Sequence, residues 1–431
     1  MKKTLIVSMV WCLACGAGLP APKEAWANEM EALRTQVQEL SVLVKDLKLT
    51  VDAQQKELQS LRSSGPVSGP ASWLPVTGGR PSGVATGRWN PDIGVVADIV
   101  MQSDSPKSDE EGADRISARE VEIVFGSAVD PYIRLDVTLG IADFEEMSLE
   151  EAYATRFDLP LDFTARIGRF LPKIGKVLPV HRDSLDTVDL PLVLEKYFGH
   201  HGYNKTGVDL TRPIELPWDM THEWTFGVLE GGNGEEGSLF GETRRHPTIY
   251  NRLKNYVDLN DVTGLELGVS HLVGSRDDDS SFEVNVIGLD GTLIHRYGDQ
   301  RHIKLQSEAY HVNRRESFYP LEDETTSEIF NQDLDDARSL WGGYALLDWR
   351  FLPQWATGVR YDNVQLIETS EDFANPQQTE RGFSTYLTFY QSEYARWRVQ
   401  YSHLDLQSGD DDNRVFVQGT FAIGEHKHKL Q

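Results

Sequence analysis

From about residue 92 onward the chain repeats one pattern: short segments in which apolar and polar residues alternate, joined by connections that are short and long in turn. The clearest segment runs from Tyr132 to Ile141. Ile133, Leu135, Val137, Leu139 and Ile141 share one face and Arg134, Asp136, Thr138 and Gly140 the other, the period-two signature of a strand. Comparable segments occupy His222 to Val228, Leu253 to Leu259, Ile303 to Ala309, Leu346 to Phe351, Ala356 to Asp362, Phe383 to Phe389, Trp397 to Ser402 and Val415 to Phe421. About sixteen strands are expected, starting near residues 92, 117, 132, 148, 162, 204, 220, 250, 264, 281, 301, 341, 355, 380, 396 and 413. Short turns fall at Pro131, Pro160, Pro217, Asp261, Pro353 and Glu393, with a polar turn at Arg296 to Gln300. Long connections fall at 104–116, 174–203, 233–249, 274–280, 316–340, 369–379 and 407–412, with a smaller one at Phe144 to Met147. A soluble sandwich has no reason to gather its short turns at one end. An outer-membrane barrel does, with an even number of antiparallel strands, short periplasmic turns and longer outer loops.

A closed barrel also explains how a chain with mean hydropathy −0.41 could cross a lipid bilayer, because every backbone group is paired strand to strand. Beyond the first twenty residues no run approaches the ~18 apolar residues of a membrane-spanning helix. Aromatic residues near strand ends, Tyr153, Trp218, Trp224, Trp349, Trp355, Tyr390, Trp397 and Tyr401, are expected at headgroup level. The formal charge of −25 argues against nucleic acid as a partner.

The N-terminus reads differently. Lys2-Lys3, the apolar run Leu5 to Ala14 and the Ala25-Trp26-Ala27 site form a secretory signal peptide over 1–27. Lipoprotein-type processing at Cys15 is the alternative, with Cys12 standing where such sites place Leu; the only two cysteines, Cys12 and Cys15, both lie in this leader. From Met30 the apolar residues Leu33, Val37, Leu40, Val44, Leu47, Val51, Leu58 and Leu61 recur at spacings of three and four, interrupted by Gln54. That heptad seam predicts a periplasmic α-helical coiled coil over 28–64, and so an oligomer, its strand number left open. A Gly/Pro/Ser linker follows over 65–87, then the barrel over 88–424 and a tail over 425–431. The expected fold class is thus all-β: a transmembrane antiparallel β-barrel of about 16 strands behind one coiled-coil segment.

This order of signal, heptad helix, linker and barrel, together with Leu149-Glu150-Glu151-Ala152-Tyr153, Arg166-Ile167-Gly168-Arg169-Phe170, Arg252-Leu253-Lys254-Asn255, Tyr386-Leu387-Thr388-Phe389-Tyr390 and Arg398-Val399-Gln400-Tyr401-Ser402-His403, resembles the phosphate-selective porin group and related porins with an N-terminal coiled coil. The resemblance spans roughly residues 90–425 and implies a passive channel in the bacterial outer membrane, commonly a homotrimer. Two features depart from it: the chain ends in His426-Lys427-His428-Lys429-Leu430-Gln431 instead of a terminal aromatic, and the inward positions do not spell out an arginine ladder. Porins of this type fold their third loop into the barrel, which here is the stretch 174–203. Its basic residues Lys173, Lys176, His181, Arg182 and Lys196, with Arg166 and Arg169 just upstream, are the candidate pore-constriction and solute-binding set, biased toward anions. The acids Asp183, Asp186, Asp189 and Glu195 offset them.

Enzyme chemistry finds no support: there is no G-x-S-x-G, no H-E-x-x-H and no phosphate-cradling glycine loop. His200-His201 and His426-x-His428 lack a third metal ligand at a recognised spacing, so no metal and no cofactor is expected. The carboxylates Glu120, Asp136, Glu266 and Asp348 are expected to pair inside the barrel with Arg134, Lys304, Arg350 and Arg360. Acidic loop clusters, Asp109-Glu110-Glu111, Asp277-Asp278-Asp279, Glu322-Asp323-Glu324, Asp333 to Asp336 and Asp410-Asp411-Asp412, read as solvated, or as cation-bridged contacts to outer-membrane lipid and lipopolysaccharide. Expected partners are therefore that lipid, small hydrophilic solutes and further copies of the chain. The competing function is structural, the coiled coil tethering the barrel to periplasmic partners. Replacing Leu40 and Leu47 by Asp should abolish self-association of a 28–64 peptide, since buried charge at seam positions is costly; sedimentation equilibrium showing a monomeric parent peptide would remove the seam.

Overall fold

The structure is a computed structural model and describes residues 91–105, 114–143, 147–200, 202–232, 239–240, 245–275, 283–316, 336–366, 379–406 and 411–424. The signal peptide, the coiled coil, the linker, the tail, His201 and most of the acidic loop residues lie outside them.

Among the described residues sixteen strands form one closed antiparallel barrel, each paired with its sequence neighbours and the first with the last. They are β1 (Asp92–Ser105), β2 (Ile116–Asp130), β3 (Ile133–Ile141), β4 (Ser148–Leu159), β5 (Phe163–Phe170), β6 (Lys205–Ile214), β7 (Thr221–Leu229) and β8 (Thr248–Asn260). The second half comprises β9 (Thr263–Ser275), β10 (Glu283–Gly298), β11 (Arg301–Glu316), β12 (Asp336–Leu352), β13 (Trp355–Gln365), β14 (Thr379–Ser392), β15 (Ala395–Asp405) and β16 (Asp411–Gly424). The starts match the sequence reading within two residues, except that β12 begins at Asp336. There the ladder with β11 runs out to Glu316↔Asp336, so residues 336–340, which the sequence reads as loop, are strand. Closure is made by β1 on β16, in register from Gly94↔Gly424 to Ser105↔Asn413.

Burial along the strands is the reverse of a soluble sheet. On β15 the apolar Trp397, Val399 and Tyr401 are exposed, while Arg398, Gln400 and Ser402 between them are buried. On β13 Val359 and Tyr361 face out, and Arg360 and Asp362 face in. Apolar exposed surface of this extent is unstable in water and stable against lipid. At the short-turn end aromatic side chains meet in pairs: Trp355 with Phe389 at 4.7 Å, Trp397 with Phe421 at 5.3 Å and Trp349 with Phe351 at 5.4 Å between ring centres. Tyr153 and Tyr390 depart from the expected girdle. Tyr153 packs edge-on against Phe170, and the Arg350 guanidinium lies 4.3 Å from the Tyr390 ring, because strand parity turns both inward.

The barrel is not hollow throughout. The connection between β5 and β6 (171–204), here called L3, carries the helix α1 (Leu192–Phe198), and its Ile174, Leu178, Leu185, Leu194, Tyr197 and Phe198 are buried against inward residues Tyr250, Leu272, Val286, Tyr310, Tyr344, Val364 and Tyr386. Each fully buried side chain of this kind contributes about 1.5–3 kcal/mol. An arginine at Val399, on the outer face near the middle of β15, should destabilise the barrel by about 2–4 kcal/mol, read from refolding into lipid vesicles against urea; a cost as small as that of a polar exchange at inward Gln400 would contradict the assignment of the two faces.

Candidate functional site

L3 crosses the lumen and is held by reciprocal charge. Its cations meet acids of the wall: Lys173 Nζ lies 3.5 Å from Glu223, Lys176 Nζ 2.7 Å from Glu266 and Lys196 Nζ 3.1 Å from Glu380. Its acids meet cations of the wall: Lys304 Nζ is 2.7 Å from Asp186, and Arg360 approaches Asp189 at 3.2 Å. Burial alone would raise the Asp186 pKa, but Lys304, with Arg398 and Arg396 beyond, holds it below the usual carboxylate value. The expected wall pairing is corrected here. Asp136 does bond Arg134, at 3.0 Å, but Glu266 takes a loop lysine, and Asp348 accepts from Tyr386 and contacts His302, because L3 brings its own charges into the lumen.

Backbone groups of L3 are also satisfied from the wall. Val177 N–H donates to Glu308 at 2.9 Å, Val188 N–H to Gln400 at 2.7 Å and Leu192 N–H to Asp362 at 3.1 Å. Glu308 additionally accepts from the hydroxyls of Tyr310 (2.6 Å) and Tyr344 (2.8 Å). At Gly175, with φ +62°, the loop passes so close to the wall that a Cβ would overlap the Glu308 carboxylate and the Tyr310 hydroxyl, so only glycine fits. Its N–H donates to Ser270 and its carbonyl accepts from Arg252. Arginines do line the lumen, with Arg252, Arg314, Arg350, Arg360, Arg396 and Arg398 all buried; scattered over β8, β11, β12, β13 and β15, they form no run along the sequence.

A cavity of about 490 Å³ opens between L3 and the wall formed by β1–β5, lined by Arg115, Arg119, Arg169 and Arg182 and by Glu120, Glu122, Asp143, Glu150 and His181. Two β-bulges shape it. Opposite Asp98 and Ile99 of β1 stand Glu120 and Ala118, leaving Arg119 as an extra residue in β2. Opposite Thr138 and Leu139 of β3 stand Glu151 and Leu149, leaving Glu150 as the extra residue in β4. A bulge adds a side chain where alternation would point it away, and so the cavity gains a guanidinium and a carboxylate. Arg119 donates to Asp98 at 2.9 Å and to the carbonyl of Val188 at 2.6 Å, joining β1, β2 and L3.

His181 enters from L3 at the start of a 3-10 turn (Arg182–Ser184). Its Nδ1 is 3.2 Å from Glu122 and 3.6 Å from Glu150, and its Nε2 3.1 Å from Glu151. Burial disfavours charge on the imidazole, yet the Glu122, Glu150 and Glu151 carboxylates outweigh it and lift its pKa well above the usual value. Arg182 moves the other way: burial and the Arg119 guanidinium lower its pKa.

The seven sequence candidates therefore separate. Arg169, His181 and Arg182 line the cavity. Arg166 is committed to Asp209 at 3.1 Å and lies 4.4 Å from the Phe170 ring centre; Lys173, Lys176 and Lys196 are in the ion pairs given above. Arg119, Glu120, Glu122 and Glu150 escaped the sequence reading as site residues. A bulge leaves no mark in a period-two pattern except an acid or a base on what counts as the wrong face.

No protein-family model matches the chain. An uncharacterized protein of Aquifex aeolicus (strain VF5) is 25% identical over 331 residues, covering 71% of this chain and 68% of that protein. Among solved structures, the anion-selective porin from Comamonas acidovorans matches with TM-score 0.52 at 10% identity, over 78% of this chain and 99% of the other. The outer membrane channel DcaP of Acinetobacter baumannii matches with TM-score 0.48 at 12% identity, over 78% and 96%. The likeness to the Comamonas acidovorans structure is one of fold: the chain forms a porin-type barrel with its third loop folded inward.

Exchange of Glu308 for Ala would strand the Val177 N–H and two tyrosine hydroxyls, each buried unpaired group costing about 1–3 kcal/mol. The expected result is a lower urea midpoint and proteolytic cleavage within L3; resistance equal to that of the parent would show that L3 does not depend on this carboxylate.

Proposed function

We propose that the protein is an outer-membrane porin that lets small hydrophilic solutes diffuse passively, through the space between L3 and the β1–β5 wall. The observation that carries this reading is the closed barrel with an apolar outer face and a charged inner one, a construction that serves a lipid-embedded aqueous passage and has no use in a soluble protein. Arg115, Arg119, Arg169 and Arg182 bias the passage toward anions. A ring of fixed charge at a narrow point sets selectivity by the ion's electrostatic energy there. The remaining loop cations, Arg166, Lys173, Lys176 and Lys196, act through L3, holding it in place. The heptad seam and the resemblance to the phosphate-selective group support a homotrimer, with lipid and lipopolysaccharide around the barrel.

A second reading, a barrel that anchors the periplasmic coiled coil and conducts little, is favoured by one observation: L3 fills much of the lumen with apolar side chains. Planar-bilayer recording separates the two. Discrete open-channel steps with anion-weighted reversal potentials in a salt gradient are expected, with the weighting reduced in a Arg169→Glu/Arg182→Glu double variant. Silence of correctly folded protein supports the anchor, and selectivity unmoved by the double variant removes these residues from the assignment.

A further inference from the structure

Carboxylates crowd the cavity around His181. Glu122, Glu150 and Glu151 surround a single imidazole, and Glu120 stands beside Glu150. The bulge in β4 is what brings Glu150 to this side together with Glu151. Glu122 is 4% exposed, and its Oε1 faces the His181 Nδ1 at 3.2 Å. Buried carboxylates are costly to keep charged without positive charge among them, and here one imidazole faces three of them.

The donor geometry names the cation. One atom each from Glu122, Glu150 and His181 lies within 4.8 Å of the other two. An ion bound at about 2.0–2.2 Å holds neighbouring tetrahedral donors about 3.4 Å apart, and the Nδ1 separations from the two carboxylates are 3.2 and 3.6 Å. The far ring nitrogen faces Glu151 at 3.1 Å, the arrangement in which Nε2–H donates to a carboxylate and the Nδ1 lone pair is directed at a metal. One imidazole and two carboxylates suit a borderline first-row divalent ion and are a poor cage for Ca²⁺, which takes six to eight oxygens.

We propose that Glu122, Glu150 and His181 form a binding site for a divalent transition-metal ion of the Zn²⁺ class, oriented by Glu151, that ties L3 to strands β2 and β4. The site deepens the porin reading, since it lies on the proposed passage. A bound ion replaces the single charge of an imidazolium by two, adds positive charge to the cavity and shifts the passage toward anions.

Isothermal titration of chelator-treated full-length protein in detergent with ZnCl₂ tests it. One site per chain is expected, weakened at least tenfold in Glu122→Gln and in His181→Gln, with Glu150→Gln as a further variant if either of those fails to show the folded, heat-modifiable form. Absence of binding overturns the proposal. So does binding of equal strength in the folded variants, which would place the ion elsewhere on the surface. In planar bilayers Zn²⁺ should move the reversal potential toward anions in the parent and leave Glu122→Gln unmoved. Zinc binding that the variants abolish, in a protein that gives no channel steps, defeats the porin reading and leaves the site standing. Clear channel steps without zinc binding defeat the site alone.

Discussion

The structure rests on the pairing of β1 with β16. In hydrocarbon an unpaired backbone N–H or C=O costs several kcal/mol, and an open sheet of this length would carry two full edges of such groups. The seam removes both, from Gly94↔Gly424 to Ser105↔Asn413. Once the edges are gone the side chains are free to sort by solvent instead of by core. Apolar residues go outward into lipid, and the inner face becomes the place where charges are tolerated, provided they find partners.

That condition explains L3. A lumen carrying Arg252, Arg360, Glu308 and Asp362 in a narrow space needs counter-charges, and the loop supplies them in both signs, with Lys176 for Glu266 and Asp186 for Lys304. Salt bridges drawn partly out of water, as these are, do little for net stability, since desolvation offsets most of the attraction. Their consequence is positional: a shift of L3 along the wall would leave several buried charges unmatched at once. The apolar residues of α1 supply the favourable energy, and the charges select the register. On the β1–β5 side L3 stands off the wall, and the cavity is found there.

Much of the barrel was legible in the chain. Strand starts and the sorting of short turns to one end follow from period-two alternation and from the positions of Pro and Gly, which are local signals, whereas the inward course of the third loop is an implication of the resemblance to the phosphate-selective porin group. The site was less legible. Lys173 and Lys196 stood out because they are basic in an acidic protein, yet Glu223 and Glu380 lie 50 and 184 positions farther along the chain, and nothing in the sequence joins them. Glu150 and Glu151, adjacent and alike, look like one inward and one outward acid; the bulge that turns both inward is set by the ladder with β3. His181 was singled out for its charge in a basic loop, whereas its surroundings come from β2 and β4.

The anchors of L3 have a further meaning for how the chain acquires its form. Val188 bonds to Gln400, 212 residues later, and Leu192 to Asp362, 170 residues later. Contacts so distant in sequence form late, because long stretches of chain must be ordered before they are gained. A nascent barrel that has inserted its first dozen strands has the loop and one side of its docking surface, but lacks the partners on β13, β14 and β15. The narrowing of the lumen is then completed only when the C-terminal strands arrive, and a chain stalled before that point would hold its loop by one side alone.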